Sequence, residues 1–250
     1  MQEEEIIKIA QELHHLTPSQ LGWVEAVIKQ FKLPYSFYRK PDSDLLTDTV
    51  LTVLGDTLRI HHAFSRQALS KDRFEYAFER ALRKGSFSVQ LANSRTNRGH
   101  DLTINGVPIS LKTEAASNIK ADYLHISKFM ELGRGAWVLP TLRDLFLEHM
   151  RSYERIFQFR CLESGPESYF YELVEIPKML LQEASDAELV IQEESRQNPK
   201  PGYGYVRDTN GILKYSLYFD GGTERKLQIK GIRKNHCIVH ATWSFSSTPL

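Results

Sequence analysis

The dipeptide Asn105-Gly106, set between the segments DLTI (101–104) and VPISLK (107–112), constrains this chain more than any other feature. A two-residue type I′ turn needs positive φ at both central positions, which Asn and Gly tolerate, so the flanking segments are predicted to form a β-hairpin. The short loop fixes the register: Ile104 faces Val107, Thr103 faces Pro108, Leu102 faces Ile109, and Asp101 faces Ser110. Pro108 removes one ladder donor, which leaves room for a slip or bulge. Leu102, Ile104, Val107, Ile109 and Leu111 then share one face, read as core, while Asp101, Ser110 and Lys112 share the other. Opposed Cβ atoms lie about 4.5–5.5 Å apart and diagonal ones roughly 7–8 Å, so Asp101 and Lys112 converge at the open end of a rigid hairpin. A carboxylate and an ammonium there can hold a metal ion and a nucleophilic water. An ordinary surface ion pair uses the same two residue types.

The segments before the hairpin read as helical. Ile6, Ile7, Ala10 and Leu13 recur at helical spacing over residues 2–15. Thr17-Pro18-Ser19 opens a second helix that runs through Phe31 and stops at Leu33-Pro34. Residues 45–64 can form a third. Ser70 caps a fourth, with Phe74, Ala77, Phe78, Ala81 and Leu82 on one stripe and Gly85 at its end. From Phe87 the pattern turns to strands (FSVQLA and the hairpin). A polar stretch of helical potential (115–132), a short WVL strand (137–139) and an amphipathic helix over 139–156 follow. FQFRCLE and YFYELVEI read as strands and PKMLLQEAS as a short helix. ELVIQEE, GILKYSLYFD, RKLQIKGI and HCIVHATWSF read as further strands, separated by the turn signals NPKPGYG, DTNG and DGG. The expected fold is mixed α/β: a helical N-terminal lobe (1–66) and a core (67–250) with a β-rich C-terminal part, packed as one compact domain.

Composition excludes several classes. No stretch approaches the roughly 20 apolar residues of a membrane span, and the acidic, amphipathic start is neither a signal nor a transit peptide. Two cysteines, Cys161 and Cys237, indicate a reducing compartment without a disulfide framework or structural zinc, so a cytoplasmic protein is expected. No GxxxxGK[ST] is present, so no nucleotide cofactor is expected. Net charge is +1, but the charge is uneven: residues 71–100 carry 7 Lys/Arg against 3 Asp/Glu, and residues 196–240 carry 9 against 3. Such concentration suits a face that meets phosphates, and equally a solvated surface.

The helix RFEYAFERALRKG, the hairpin Asp101 and the strand motif Ser110-Leu111-Lys112 together resemble the PD-(D/E)xK nucleases, which include most type II restriction endonucleases. GVPISLKTEAA is also similar to the GVELKT segment of mismatch-repair nicking endonucleases of that superfamily. The resemblance covers residues 71–114. It implies a restriction-endonuclease-like core, a central mixed sheet flanked by helices. It also implies Mg²⁺ (with Mn²⁺ as substitute) and hydrolysis of double-stranded DNA to a 5′-phosphate and a 3′-hydroxyl. Asp101 and Lys112 match the motif. Ser110 stands where the family has Asp or Glu, and it resembles a Ser-x-Lys subset that takes the missing carboxylate from a following helix. Glu114 and Glu131 are candidates for that carboxylate, and Glu75 or Glu79 for the family's upstream helix Glu. Ser110 can offer its backbone carbonyl to the metal, and its hydroxyl is not expected to act as nucleophile. Pro41-Asp42, a literal Pro-Asp, sits far upstream in a turn and is read as a decoy.

Phosphate contacts are expected from Arg80, Arg83, Lys84, Arg95 and Arg98, and from Lys226, Lys230, Arg233 and Lys234. Asn93, Arg95, Asn97 and Arg98 before the hairpin are candidates to read base edges, as are Tyr203, Tyr205 and Arg207, expected in a Gly/Pro-rich loop. A homodimer is expected, since palindromic sites match two-fold symmetry. The leading expectation is a type II restriction endonuclease. Two alternatives stand beside it: a structure-specific or nicking nuclease of the same fold, and a non-catalytic DNA-binding or protein-interaction module.

Overall fold

A computed structural model describes residues 2–92, 99–116, 118–165 and 167–247. The first third is built from α1 (Gln2–Leu13), α2 (Pro18–Lys32), β1 (Tyr35–Arg39), α3 (Asp48–Phe64) and α4 (Lys71–Lys84). β2 (Val89–Leu91), β3 (Leu102–Ile104), β4 (Val107–Glu114), β5 (Tyr123–Glu131), α5 (Leu139–His149), β6 (Arg155–Ser164) and β7 (Ser168–Ile176) follow. The chain closes with α6 (Lys178–Gln182), β8 (Glu188–Ile191), β9 (Gly202–Arg207), β10 (Leu213–Asp220), β11 (Lys226–Arg233) and β12 (Ile238–Ser246). This is the expected mixed α/β architecture.

Two sheets organise these elements. The larger has seven strands in the order β1-β12-β7-β6-β4-β3-β2, and the smaller five in the order β5-β11-β10-β9-β8. In the larger sheet β4 runs parallel to β6, while its other pairings are antiparallel. One face is covered by α3 and α4, where Leu54, Leu58, Phe74 and Phe78 pack with Leu102, Leu111, Phe159 and Trp243. Phe74 stacks on Phe159 at 4.3 Å between ring centroids. On the other side a second core joins Ile156, Val174 and Ile176 to α5 (Leu142, Phe146) and to the smaller sheet (Ile126, Leu217, Ile229). Strand β4 packs Ile109 and Leu111 into the first of these cores and pairs with β3 and β6 on its two edges.

Local chemistry accounts for most boundaries. Thr17 and Gln20 form a reciprocal capping box ahead of α2. Thr47, not a residue near 45, caps α3, so Leu45 and Leu46 enter the core from the preceding loop. The α4 stripe is buried as expected, with Phe74, Phe78, Ala81 and Leu82 fully enclosed. Gly85 follows it where a Cβ would sit 2.5 Å from Val50 Cγ2, a contact that only glycine avoids.

Several expectations are corrected. The stretch 115–132, read as helical, contains strand β5: its buried Leu124, Ile126, Phe129 and Leu132 have uneven spacing because the β5–β11 register shifts twice. Those bulges break the two-residue alternation and leave a pattern that imitates a helix. Glu131 accordingly lies on a strand rather than a helix. Trp137-Val138-Leu139 is no strand; Val138 is the N-cap of α5, with Pro140 in the first turn. The helix expected to reach residue 156 ends at His149, because from Arg155 the chain joins the parallel ladder with β4. Residues 35–39, between the segments that read as the second and third helices, form the edge strand β1 against β12. Tyr203, Tyr205 and Arg207 lie on β9 rather than in a loop. Val107, assigned to the core face, is exposed at the hairpin tip.

Candidate active site

The hairpin forms in the expected register, with Leu102 opposite Ile109, Thr103 opposite Pro108 and Ile104 opposite Val107. Asn105 and Gly106 take φ of +48° and +84°, as a type I′ turn requires. Asp101 continues the pairing, its N–H donating to the Ile109 carbonyl at 2.9 Å. Its carboxylate is held from two sides. Oδ2 accepts the Leu111 N–H at 2.5 Å and the Ser110 hydroxyl at 3.2 Å. Oδ1 accepts the Lys71 ammonium at 2.7 Å. Lys71 is the first residue of α4 and also pairs with Glu75 Oε1 at 3.0 Å, one turn along. The helix start thus brings Glu75 to Asp101 through a shared cation.

Lys112 follows on the same strand face, two residues after the buried Ser110. Its ammonium lies over the Phe129 ring of β5, 5.3 Å from the centroid, and forms no ion pair among the described residues. Burial pushes the Lys112 pKa down to about 8, with the Asp101 carboxylate opposing and the Lys71 charge assisting. Burial pushes the Asp101 carboxyl up, yet the nearby Lys112 and Lys71 charges and the hydrogen bonds from Lys71 and Leu111 hold it below the usual range. Glu75 is raised, since burial outweighs the attraction of Lys71. Lys71 itself is raised because the pull of Asp101 and Glu75 exceeds the effect of burial. Tyr153 stands fully buried nearby, its phenol pushed up by burial and then by the Asp101 charge.

Of the sequence candidates, Glu75, Asp101, Ser110 and Lys112 are therefore brought together. The others are placed elsewhere. Glu79 pairs with Arg83 at 2.6 Å on the next turn of α4. Glu114 turns to Arg160, 2.7 Å away, inside a separate buried cluster. Glu131 pairs with Lys128 at 2.8 Å and lines a surface cleft, together with Arg134, Pro199, Gly222 and Arg225. That cleft includes none of the hairpin residues. Asp42 pairs with Lys40, two residues before it. Lys71 was not anticipated; the signal for it was a lysine four residues before Glu75 at a helix start.

Arg80, Arg83 and Lys84 are exposed on α4. Lys226 pairs with Glu224, Lys230 sits 3.6 Å from the Tyr218 ring centroid, and Arg233 is partly buried. Lys234 is engaged by the buried Glu172 and so serves the interior. Asn93, Arg95, Asn97 and Arg98 lie outside the described residues. Tyr203 and Tyr205 stack at 5.5 Å on the outer face of the smaller sheet.

Two carboxylate oxygens converge on one ammonium nitrogen, so this cluster already accommodates a cation. Magnesium is commonly held by one or two carboxylates, with waters and substrate phosphate completing its shell, and the pair Asp101 and Glu75 fits that donor set. No group of three or more His, Cys, Asp or Glu arranged to hold a metal occurs among the described residues. Likewise no described helix is long and apolar enough to cross a membrane. Both cysteines are free, and burial pushes the Cys161 thiol to about 11.

A family model described as "SmaI: Type II site-specific deoxyribonuclease" matches residues 9–245. The chain is also similar to the type II restriction enzyme SmaI of Serratia marcescens, at 51% identity over 212 residues, covering 85% of this chain and 86% of that protein.

Proposed function

The chain belongs to the type II site-specific deoxyribonuclease family, and from that premise we propose that it cuts double-stranded DNA at the hairpin cluster as a Ser-x-Lys variant of the PD-(D/E)xK nucleases. Sequence-specific endonuclease activity is the function that the family match and the relative support. The observation that carries the choice of site is the convergence of Asp101 and Glu75 on a single cation, with the Lys112 ammonium on the same strand face.

Asp101 and Glu75 would hold Mg²⁺ or Mn²⁺, with the Ser110 carbonyl as a further oxygen. Such an ion supplies a Lewis acid that neutralises charge on the scissile phosphate and on the leaving oxygen. Ser110 and Leu111 hold Asp101 in place through its Oδ2. The Ser110 hydroxyl is spent on that bond, which agrees with its exclusion as a nucleophile. Lys112 would donate hydrogen bonds from a sheltered ammonium, and so orient the attacking water and stabilise the negative charge that develops on the phosphoryl oxygens. Its position over Phe129 keeps competing solvent off one side. The products are a 5′-phosphate and a 3′-hydroxyl. Exposed Arg80 and Lys84, further along α4, would meet backbone phosphates. The protein works in the cytoplasm as a homodimer on a two-fold symmetric sequence. The exposed Ile6, Ile7 and Trp23 of α1 and α2 provide apolar surface for the pairing.

Digestion of a long, unmethylated phage DNA tests this reading. The purified protein is expected to give discrete bands with Mg²⁺ and intact DNA with EDTA. Asp101→Asn and Lys112→Ala should bind the same DNA yet cut at least about a thousandfold more slowly. Near-normal cutting by both variants would overturn the assignment.

A further inference from the structure

Lys71 stands where ordinary rules disfavour it. As the first residue of α4 it puts positive charge at a helix N-terminus, against the macrodipole. It also precedes Glu75 by four residues, the weaker order for a helical ion pair. Packing does not hold it, since its side chain is 41% exposed. What holds it is the pair of carboxylates, Asp101 Oδ1 at 2.7 Å and Glu75 Oε1 at 3.0 Å.

We infer that the Lys71 ammonium is an internal counter-cation that occupies the place of the divalent ion, so that the ion loads only as Lys71 leaves. The inference rests on the reading of Asp101 and Glu75 as metal-holding residues. Three observations support the exchange. An ammonium within 3.0 Å of both carboxylates and a divalent ion bonded to the same oxygens cannot share that space, and their like charges repel. Lys71 can leave, because it is partly exposed on a flexible four-carbon stem. Asp101 can stay, because Leu111 and Ser110 grip Oδ2 and leave Oδ1 to whichever cation is present. Lys71 thus keeps two neighbouring carboxylates compatible in the metal-free protein, and it lowers the apparent affinity for the ion that replaces it.

Titration of the full-length, DNA-free protein with Mn²⁺ alone, read by electron paramagnetic resonance of the free ion, tests this without recourse to cleavage. Lys71→Met is expected to bind Mn²⁺ at least about tenfold more tightly than the parent protein. Lys71→Arg, which restores the charge, should bind as weakly as the parent, a pattern that loss of mere packing would not produce. Asp101→Asn should lose the site. Lys71→Gln serves if the Met variant fails to fold. Unchanged or weaker binding by Lys71→Met, with Asp101→Asn still abolishing it, overturns the inference alone and leaves Lys71 as a phosphate or positioning group. Unchanged binding by Asp101→Asn overturns the two-carboxylate reading, and the inference with it.

Discussion

Two clusters flank β4, and in each one cation bridges two carboxylates. At the hairpin end of β4, Lys71 bridges Asp101 and Glu75. At its other end, Arg160 bridges Glu114 and Glu172. Lys234 adds a second cation on Glu172, and the surroundings of the two bridges differ. Arg160 is fully buried, and besides its two carboxylates it donates to the Lys120, Ala121 and Tyr123 carbonyls, which spends its five N–H groups. Those bonds pin the entry to β5 against the larger sheet. Lys71 has no comparable set of bonds, is a compact ammonium, and remains 41% exposed. Burial and full hydrogen bonding make the one cluster a fastener. Incomplete enclosure makes the other a place where a cation can be exchanged.

The largest expected effect falls on the fastener. Arg160→Met takes the ion-pair partner from Glu114 and leaves the buried Glu172 with Lys234 alone, and should cost about 3–5 kcal/mol of stability in urea denaturation. A cost below about 1 kcal/mol would erase the distinction between the clusters. A third cluster sharpens the contrast through pH. Glu175 lies 2.7 Å from Arg155 and 2.8 Å from His240, and the net effect of those bonds against burial holds its pKa at about 2. The folded pKa lies below the unfolded value, so the stabilisation is complete above about pH 4.5 and is lost as pH falls towards 2. The loss amounts to at most roughly 3 kcal/mol. Glu175→Gln should flatten that acid limb of the stability profile; an unchanged slope would refute the assignment. A smaller effect is expected from Glu114→Gln, which keeps a partner for Arg160 but removes a charge, at about 1–2 kcal/mol.

How much of this was legible in the sequence depended on how local each feature is. The Asn105-Gly106 turn sets its register with neighbouring residues alone, so the hairpin, its core face apart from the exposed Val107, and the contact of Asp101 with Ser110 could be read directly. The α4 stripe was legible for the same reason. β1 was not, since an isolated five-residue edge strand gains its hydrogen bonds only from β12, some two hundred residues later. β5 was disguised by its bulges. Glu114 shares strand parity with Lys112, which made it a reasonable candidate, but its partner Arg160 lies on β6 and nothing local announces the pairing. Lys234 read as part of a basic run, whereas its ammonium reaches the buried Glu172. Charge runs report composition, and only the fold decides which cations face solvent.

We propose that the open cluster, not the closed one, carries the chemistry. Single-turnover cleavage of a short duplex bearing the recognition site, with saturating protein and Mg²⁺, compares Glu75→Gln and Glu114→Gln directly. The expected result is a fall of about a hundredfold or more for Glu75→Gln, and a rate within about threefold of the parent for Glu114→Gln. Full cleavage by Glu75→Gln, with collapse of cleavage in a well-folded Glu114→Gln, would contradict it.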